Sequence, residues 1–445
     1  MRKGRFLLLG LLILGFFLSS IFAMAGEDFP DEEVFLEDQL FSEDMFVNEE
    51  NIVNDDAANE LNKQGIGISG ELSSLIDYNN SDLQNSWLQL GETDDEFYTS
   101  YLATNILVDA RFRNRIKGFL NYELMYEYND RDNDGDFDSN IKELFLDVPY
   151  NDRIYVKAGK QVLRWGRSYF WNPTDLINIK KKDISDPGKS RDGIEGIKVH
   201  VPYGVKQNIY LFFDTDDVKE VEDIAVSGKY ELLVGNTEMS FSAWLKSDME
   251  AVYGFDISGR ANDIDLRAEL SLSRGDNNLL MDYDTFEFYK EDDRWIQRIS
   301  AGFTKYFDHA DISDRISISG EVYYNSNGYD ENIYRRIEGI EDAAARQGIK
   351  MRYLGDVYQP NMNSKYYIAF FTQVNEFLDS DIALNLNGII NLIDHSKTLS
   401  AGIDYQANSD WTYNLNIRKS IGDKYTEAVL FGQDLNISLG SNYNF

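Results

Sequence analysis

Asp263-Ile264-Asp265-Leu266-Arg267-Ala268-Glu269-Leu270-Ser271-Leu272-Ser273 alternates without a break. Ile264, Leu266, Ala268, Leu270 and Leu272 fall on one face; Asp263, Asp265, Arg267, Glu269 and Ser271 fall on the other. Strict period two over this length is a β-strand with one apolar and one polar face, because successive side chains of an extended chain point to opposite sides. The pattern recurs. Leu120, Tyr122, Leu124, Tyr126 and Tyr128 alternate with Asn121, Glu123, Met125 and Glu127, while Ile316, Ile318, Gly320, Val322 and Tyr324 share a face, as do Trp411, Tyr413, Leu415 and Ile417. A soluble sandwich alternates too. The number and length of these strands, and full charges such as Arg267 and Glu269 on the polar side, favour an all-β transmembrane antiparallel barrel with a wet interior.

Composition agrees. The 445 residues contain no cysteine, so neither disulfides nor a cysteine-ligated metal holds the fold. Mean hydropathy is −0.43, yet aromatics reach 14%. A barrel combines these two values because half of each strand faces water and the other half faces lipid.

Arg2, Lys3 and Arg5 precede an apolar run from Phe6 to Phe22 that ends in Ala23-Met24-Ala25. A basic start, a short apolar stretch and an A-x-A site form a secretory signal, with cleavage expected after Ala25. The net charge of −34 becomes −37 once these three basic residues are removed. So acidic a chain is not expected to bind nucleic acid. Residues 26–64, with Lys63 as the only basic residue, read as an acidic periplasmic leader without a fold of its own. The alternative is a segment that docks on a partner or enters the lumen from below.

The barrel is assigned to 65–445. Eighteen strands are expected, beginning near Ile66, Phe97, Ile116, Ile141, Ile154, Ile194, Gln207, Ile224, Thr237, Ala251, Ile264, Trp295, Ile316, Tyr366, Ile382, Thr398, Trp411 and Asp434. Sixteen results if two weak ones merge. Loop parity supports eighteen, since bacterial barrels have short periplasmic turns and longer external loops. The turns at Pro149-Tyr150-Asn151-Asp152, Pro202-Tyr203-Gly204, Gly235-Asn236, Ala261-Asn262 and Ala407-Asn408-Ser409 all fall on the periplasmic side. The long charged segments from Asp130 to Asp138, Gly166 to Asp192, Gly275 to Asp293 and Asn327 to Asn363 fall outside.

Leu435, Ile437, Leu439, Ser441, Tyr443 and Phe445 occupy one face of the last strand. This resembles the closing strand of outer-membrane barrels, which the barrel assembly machinery reads. The expected partners are therefore outer-membrane lipid, that machinery through Phe445, small polar solutes and further copies of the chain.

Asp130-Arg131-Asp132-Asn133-Asp134-Gly135-Asp136-Phe137-Asp138 matches the start of a calcium loop, in which alternate oxygens converge and Gly permits the turn. Ile141 stands where a bidentate Glu is required, so the pattern is incomplete. A solvated hairpin is the plainer reading, and a weak calcium site formed by Asp130, Asp132, Asp134, Asp136 and Asp138 is the alternative; no other cofactor is indicated. The three histidines, His200, His309 and His395, form no acid–base dyad, since in Asp308-His309 and Asp394-His395 adjacent extended residues face opposite ways. Enzyme activity is not expected.

The segment from Lys157 reads K-A-G-K-Q-V-L-R-W-G-R-S-Y-F-W-N-P-T-D-L, followed by Lys180-Lys181-Lys182, then Lys189 and Arg191. Gly159, Lys160, Gln161, Trp165 and Gly166, then Trp171, Asn172, Pro173, Thr174 and Asp175, resemble the G-[KR]-Q-x-x-x-W-G and W-N-P-T-D stretches of porin-like barrels, including those related to alginate exporters. The resemblance covers about 40 residues and implies a pore, not a particular solute. With strand residues running to about Arg164, this is the third external loop, which in general porins folds inward. Its basic residues Arg164, Arg167, Lys180, Lys181, Lys182, Lys189 and Arg191 are expected at the constriction with Asp175, facing an acidic wall that includes Glu123 and Glu127. Trp165, Tyr169 and Trp171 are expected to form a stacking track for sugars or aromatic solutes.

The reading is a passive outer-membrane porin. An outlet or assembly component of an efflux or polysaccharide export system is the alternative, with the acidic leader as its docking piece. A ligand-gated importer needs a plug and about 22 strands, for which the chain is too short.

Overall fold

In the computed structural model the described residues are 65–81, 87, 95–112, 115–131, 133–150, 153–177, 192–309 and 312–445. The expected signal peptide and acidic leader lie outside them. Eighteen antiparallel strands close into one barrel. In chain order these are β1 (Gly65–Ser81), β2 (Asp95–Arg111), β3 (Lys117–Asn129), β4 (Asp134–Tyr150), β5 (Ile154–Gln161), β6 (Ile194–Tyr203), β7 (Gln207–Asp214), β8 (Ala225–Val234), β9 (Thr237–Leu245), β10 (Val252–Ala261) and β11 (Ile264–Arg274). A two-stranded hairpin, β12 (Leu280–Met281) and β13 (Phe288–Tyr289), stands apart. The barrel resumes with β14 (Trp295–His309), β15 (Ile312–Asn325), β16 (Tyr366–Val374), β17 (Ile382–Asn391), β18 (Lys397–Gln406), β19 (Trp411–Ile421) and β20 (Gln433–Asn444). Each strand pairs with its neighbours in the barrel, and β20 returns to β1. No edge remains for another chain to extend.

The alternation sorts side chains as the sequence requires. Asp256, Glu269, Ser300 and Glu321 face inward on neighbouring strands, while Phe241, Leu266, Phe303 and Val322 stay exposed on the outside. Aromatic pairs mark both ends of this apolar belt. Tyr78–Tyr98 and Tyr324–Tyr366 lie near the long loops, and Trp411–Tyr443 near the short turns. Such girdles belong where a barrel crosses the two membrane interfaces. No helix among the described residues is long and apolar enough to cross a membrane.

Three boundaries differ from expectation. β4 begins at Asp134, not near Ile141, because the ladder with β3 continues upward through Asn129↔Asp134 and Glu127↔Asp136. β5 ends at Gln161, short of Arg164, because the Val162 N–H turns away to donate to Glu143 Oε1 at 2.9 Å. The segment 327–363 is not all loop: it carries helices Ile333–Glu338 and Ala343–Asp356, whose first turns are capped by Asn332 and Asp342.

The seam between β1 and β20 contains one close approach. The Gly70 N–H donates to the Phe445 carbonyl at 2.8 Å, and Phe445 N–H donates back at 2.9 Å. A Cβ on Gly70 would lie 2.5 Å from the Phe445 ring. Gly70→Val is therefore expected to lower the temperature at which the folded barrel converts to the unfolded electrophoretic form. An unchanged transition would show that this seam tolerates looser packing.

Candidate functional site

The third external loop (L3, residues 162–193) leaves β5 and enters the barrel; its described part runs to Ile177 and resumes at Asp192. Local chemistry launches it. Gly159 has φ +126° and passes so close to β4 that a Cβ would sit 2.2 Å from the Leu144 carbonyl. The buried Gln161 side chain donates to the Gly196 carbonyl at 3.3 Å, tying the loop base to β6. Gly166, at φ +97°, lets the backbone come against Glu269, whose Oε1 would be 2.9 Å from a Cβ there.

Two wall carboxylates then hold the main chain. Glu269 on β11 accepts from the N–H groups of Arg167 (2.5 Å), Ser168 (2.6 Å) and Thr174 (3.1 Å) and from the Thr174 hydroxyl (2.7 Å). Glu321 on β15 accepts from the N–H groups of Tyr169 (2.8 Å), Phe170 (3.2 Å) and Trp171 (2.7 Å). Beyond them the Tyr169 ring lies 5.4 Å from Phe371 on β16. That strand is nine barrel strands from β5, half of the eighteen. L3 runs along the wall from β5 to β16.

The loop has two faces, and the expected site residues divide between them. Trp165 and Trp171 are 6% and 0% exposed. They do not form a stacking track: Trp165 packs among Leu163, Ile177, Tyr210 and Phe212, and Trp171 stacks on Tyr323 at 5.4 Å. Their large rings instead fill the space between L3 and the wall. Asp175 is buried too, accepting from the Trp165 N–H at 3.3 Å. Arg167 is not an open charge. Its guanidinium pairs with Asp256 at 2.6 Å, with Glu238 and, at 3.6 Å, with Glu231, and these carboxylates raise its pKa further against the opposing effect of burial. The acidic wall facing it is therefore β8–β10; Glu123 pairs with Lys142 at 3.0 Å. Arg164 and Tyr169 stay partly exposed, with the Arg164 guanidinium donating to the Ser168 carbonyl at 3.1 Å. Lys180, Lys181, Lys182, Lys189 and Arg191 lie outside the described residues.

The side chains under L3 on β7–β16 are sealed, as Phe212, Ser240, Ser300 and Tyr323 show. Across the loop, inward-facing Asn385, Asn387, Asn414, Asn416, Asn436 and Glu127 keep part of their surface. The water-accessible half of the lumen therefore runs along β17–β20 and β1–β3.

A roof lies above L3. Trp87 from the first external loop is fully buried between Tyr334 and Tyr353, with ring centroids 5.5 and 6.1 Å away. Lys350 Nζ donates to the Trp87 carbonyl at 2.7 Å and pairs with Glu338 at 2.6 Å. Met281 of the β12–β13 hairpin and Leu430 of the last external loop join the same cluster. A cavity of about 200 Å³, with Asp175 and Leu176 below and Gln359 and Met362 above, separates roof from loop. One buried residue joins the layers. Glu427 Oε1 accepts from the Asn361 N–H at 2.9 Å, and Oε2 accepts from Tyr367 OH and Asn391 Nδ2, both at 2.8 Å. The Asn361 carbonyl in turn accepts from Trp171 Nε1 at 2.9 Å. Burial, reinforced by Asp394, pushes the Glu427 pKa up to about 7.

The segment read as a solvated hairpin, with a weak calcium site as the alternative, is partly strand. Asp134, Asp136 and Asp138 run along β4 in the ladder with β3, where extended spacing keeps alternate carboxylates apart. Asp130 Oδ1 accepts from the Tyr98 N–H at 2.7 Å, and Asp132 is outside the described residues. Among the described residues no three metal-ligating side chains converge.

No family profile matches the chain, and no curated protein sequence does. Solved structures do match. OccK5 (OpdH) of Pseudomonas aeruginosa aligns at TM-score 0.51 and 10% identity, covering 85% of this chain and 98% of its own. Acinetobacter baumannii OccAB3 aligns at 0.51 and 9%, covering 85% and 99%. A BenF-like porin from Pseudomonas fluorescens Pf-5 aligns at 0.52 and 10%, covering 85% and 98%. The fold is that of an outer-membrane porin. Identities this low carry the fold alone, so this porin-like barrel has to be read for function from its own lumen.

Sequence reasoning found the loop but missed Glu269, Glu321 and Glu427. For the first two a signal existed: each is a full charge on the inward face of a strand, Glu269 two positions after Arg267 and Glu321 after Ser317 and Ser319.

Proposed function

We propose that the protein is an outer-membrane porin, a passive conduit for small polar solutes whose constriction is L3. The observation that carries this reading is the course of L3 along the wall from β5 to β16, which leaves half of the lumen face covered and half wet. A partly obstructed, water-lined barrel passes solutes by size and polarity without moving parts at its narrowest level. Reconstitution in a planar bilayer tests this. Ohmic conductance that is reduced by L3 is expected, and a purified, folded barrel that conducts no ions would overturn the reading.

The finer element of the proposal is that basic charge on L3 sets ion selectivity. Arg164 is exposed on L3, and Lys180, Lys181 and Lys182 follow on the same loop. Charges act more strongly in a narrow lumen with low-dielectric walls than on an open surface. Changing Lys180, Lys181 and Lys182 together to Glu is expected to move the reversal potential towards cations, most clearly at low salt, where screening is weak. No movement in asymmetric salt would place those lysines away from the ion path. Assembly through the strand that ends in Phe445, and association with further copies of the chain, belong to the same proposal.

A further inference from the structure

The wet half of the lumen has an unusual lining for so acidic a protein. At the level of L3 the inward positions of adjacent strands run from Phe371 through Asn387 and Ser400 to Arg418 and Asn436, each paired with the next across the sheet. One step along the same strands come Gln373, Asn385, Gly402, Asn416 and Ser438. Amides and hydroxyls therefore dominate both rows. They are held in orientation by one another: Asn387 Nδ2 donates to Ser400 Oγ at 3.3 Å, Asn436 Nδ2 to Asn79 Oδ1 at 3.0 Å, and Ser438 Oγ to Asn436 Oδ1 at 3.0 Å.

The loop presents an aromatic face at the same level. Tyr169 is 36% exposed, and its ring leans on Phe371, whose partner across the sheet is Asn387. An amide both donates and accepts, so a wall of amides matches hydroxyls, which also do both. A ring face supplies apolar contact for the C–H side of a cyclic polyol. A site with an apolar platform and a few fixed polar groups is how small ligands are oriented.

We infer that the channel beside L3 is a binding station for a monosaccharide, with the sugar ring face on Tyr169 and Phe371 and its hydroxyls on the amide wall led by Asn387. This rests on the porin reading and adds a solute class to it. Arg164 and Arg418 also border the channel, so a sugar and its acid share the chemistry and differ only in how these two cations act on them.

The test is interruption of ion current through the reconstituted protein by D-glucose and D-glucuronate, with glutamine as a non-carbohydrate probe of similar mass. Both carbohydrates are expected to block more strongly than glutamine. Tyr169→Ala and Asn387→Leu should each weaken the block about threefold to tenfold, the worth of a ring contact or a hydrogen bond. Neither variant touches the main-chain bonds to Glu321, and heat-modifiable mobility confirms that each barrel is folded. A stronger glucuronate block that Arg164→Gln reduces to the glucose level assigns the acid; equal blocks assign the neutral sugar. Conductance with no preference over glutamine, or block unchanged in both variants, overturns the inference and leaves the porin standing. Absence of any conductance overturns both.

Discussion

Replacing both Glu269 and Glu321 by alanine is expected to raise single-channel conductance severalfold while the barrel remains folded. The two carboxylates accept seven hydrogen bonds from L3, six of them from peptide N–H groups. Each hydrogen bond to a charged group contributes about 1.5–3 kcal/mol, and a buried donor left without its acceptor costs about 1–3 kcal/mol. Even after wide discount for non-additivity, the loop loses most of what fixes its main chain, which finds water only by moving out. The barrel ladders do not depend on these side chains. Glu269→Gln with Glu321→Gln should fall between, since an amide oxygen accepts less strongly and its NH₂ group opposes the donors. The readouts are conductance and the heat-modifiable mobility of the same preparation. Wild-type conductance in a folded double-alanine variant would show that L3 is held by its rings alone.

The second large effect concerns pH. In the closed roof the Glu427 carboxyl titrates at about 7, against an ordinary value of 4.5, because it is buried with Asp394 nearby. The groups around it are Tyr367, Asn391, Asn361, Asp394 and Tyr334, and no ion pair with it occurs among the described residues. An opened roof returns the carboxyl to water. Between about 4.5 and 7 the closed form then holds a proton that the open form does not, so closure weakens as pH rises. It is fully favoured below the lower value, is lost progressively through the upper one and changes no further above it. At about 1.4 kcal/mol per pH unit the window amounts to about 3.5 kcal/mol, or about three-hundredfold in the opening equilibrium. Opening of the roof, read as proteolytic nicking of its loops in the folded barrel, should therefore rise between pH 5 and 7.5, and Glu427→Gln, which mimics the protonated group, should stay protected throughout. The same pH profile in that variant would assign the titration elsewhere.

The strands were readable because a barrel strand meets lipid on one side and water on the other, and Ile264 to Ser273 records that boundary residue by residue. Counting turns then separated long loops from short ones. The loop chemistry was less accessible. W-N-P-T-D marked L3 as special, but whether Trp171 lines a pore or fills a gap depends on Tyr323, 152 positions away. Arg167 looked like an open charge for the same reason: its partners Glu231, Glu238 and Asp256 are distant in sequence and adjacent only after closure. The roof helices did leave a local trace. Asp342 before Ala343-Ala344-Ala345 is an N-cap followed by strong helix formers, a signal that the long charged segment around it obscured.

The cradle formed by Glu269 and Glu321 contacts peptide groups, and peptide groups are the same whatever side chain they carry. Positions 167 to 171 are thus fixed in space by a contact blind to their identity, apart from the steric limit at Gly166. Side chains on the wet edge, Tyr169 first among them, are free to change without shifting the loop that displays them. A lineage could exchange one nutrient for another there by single substitutions, and an engineer could graft a new filter onto the same strut.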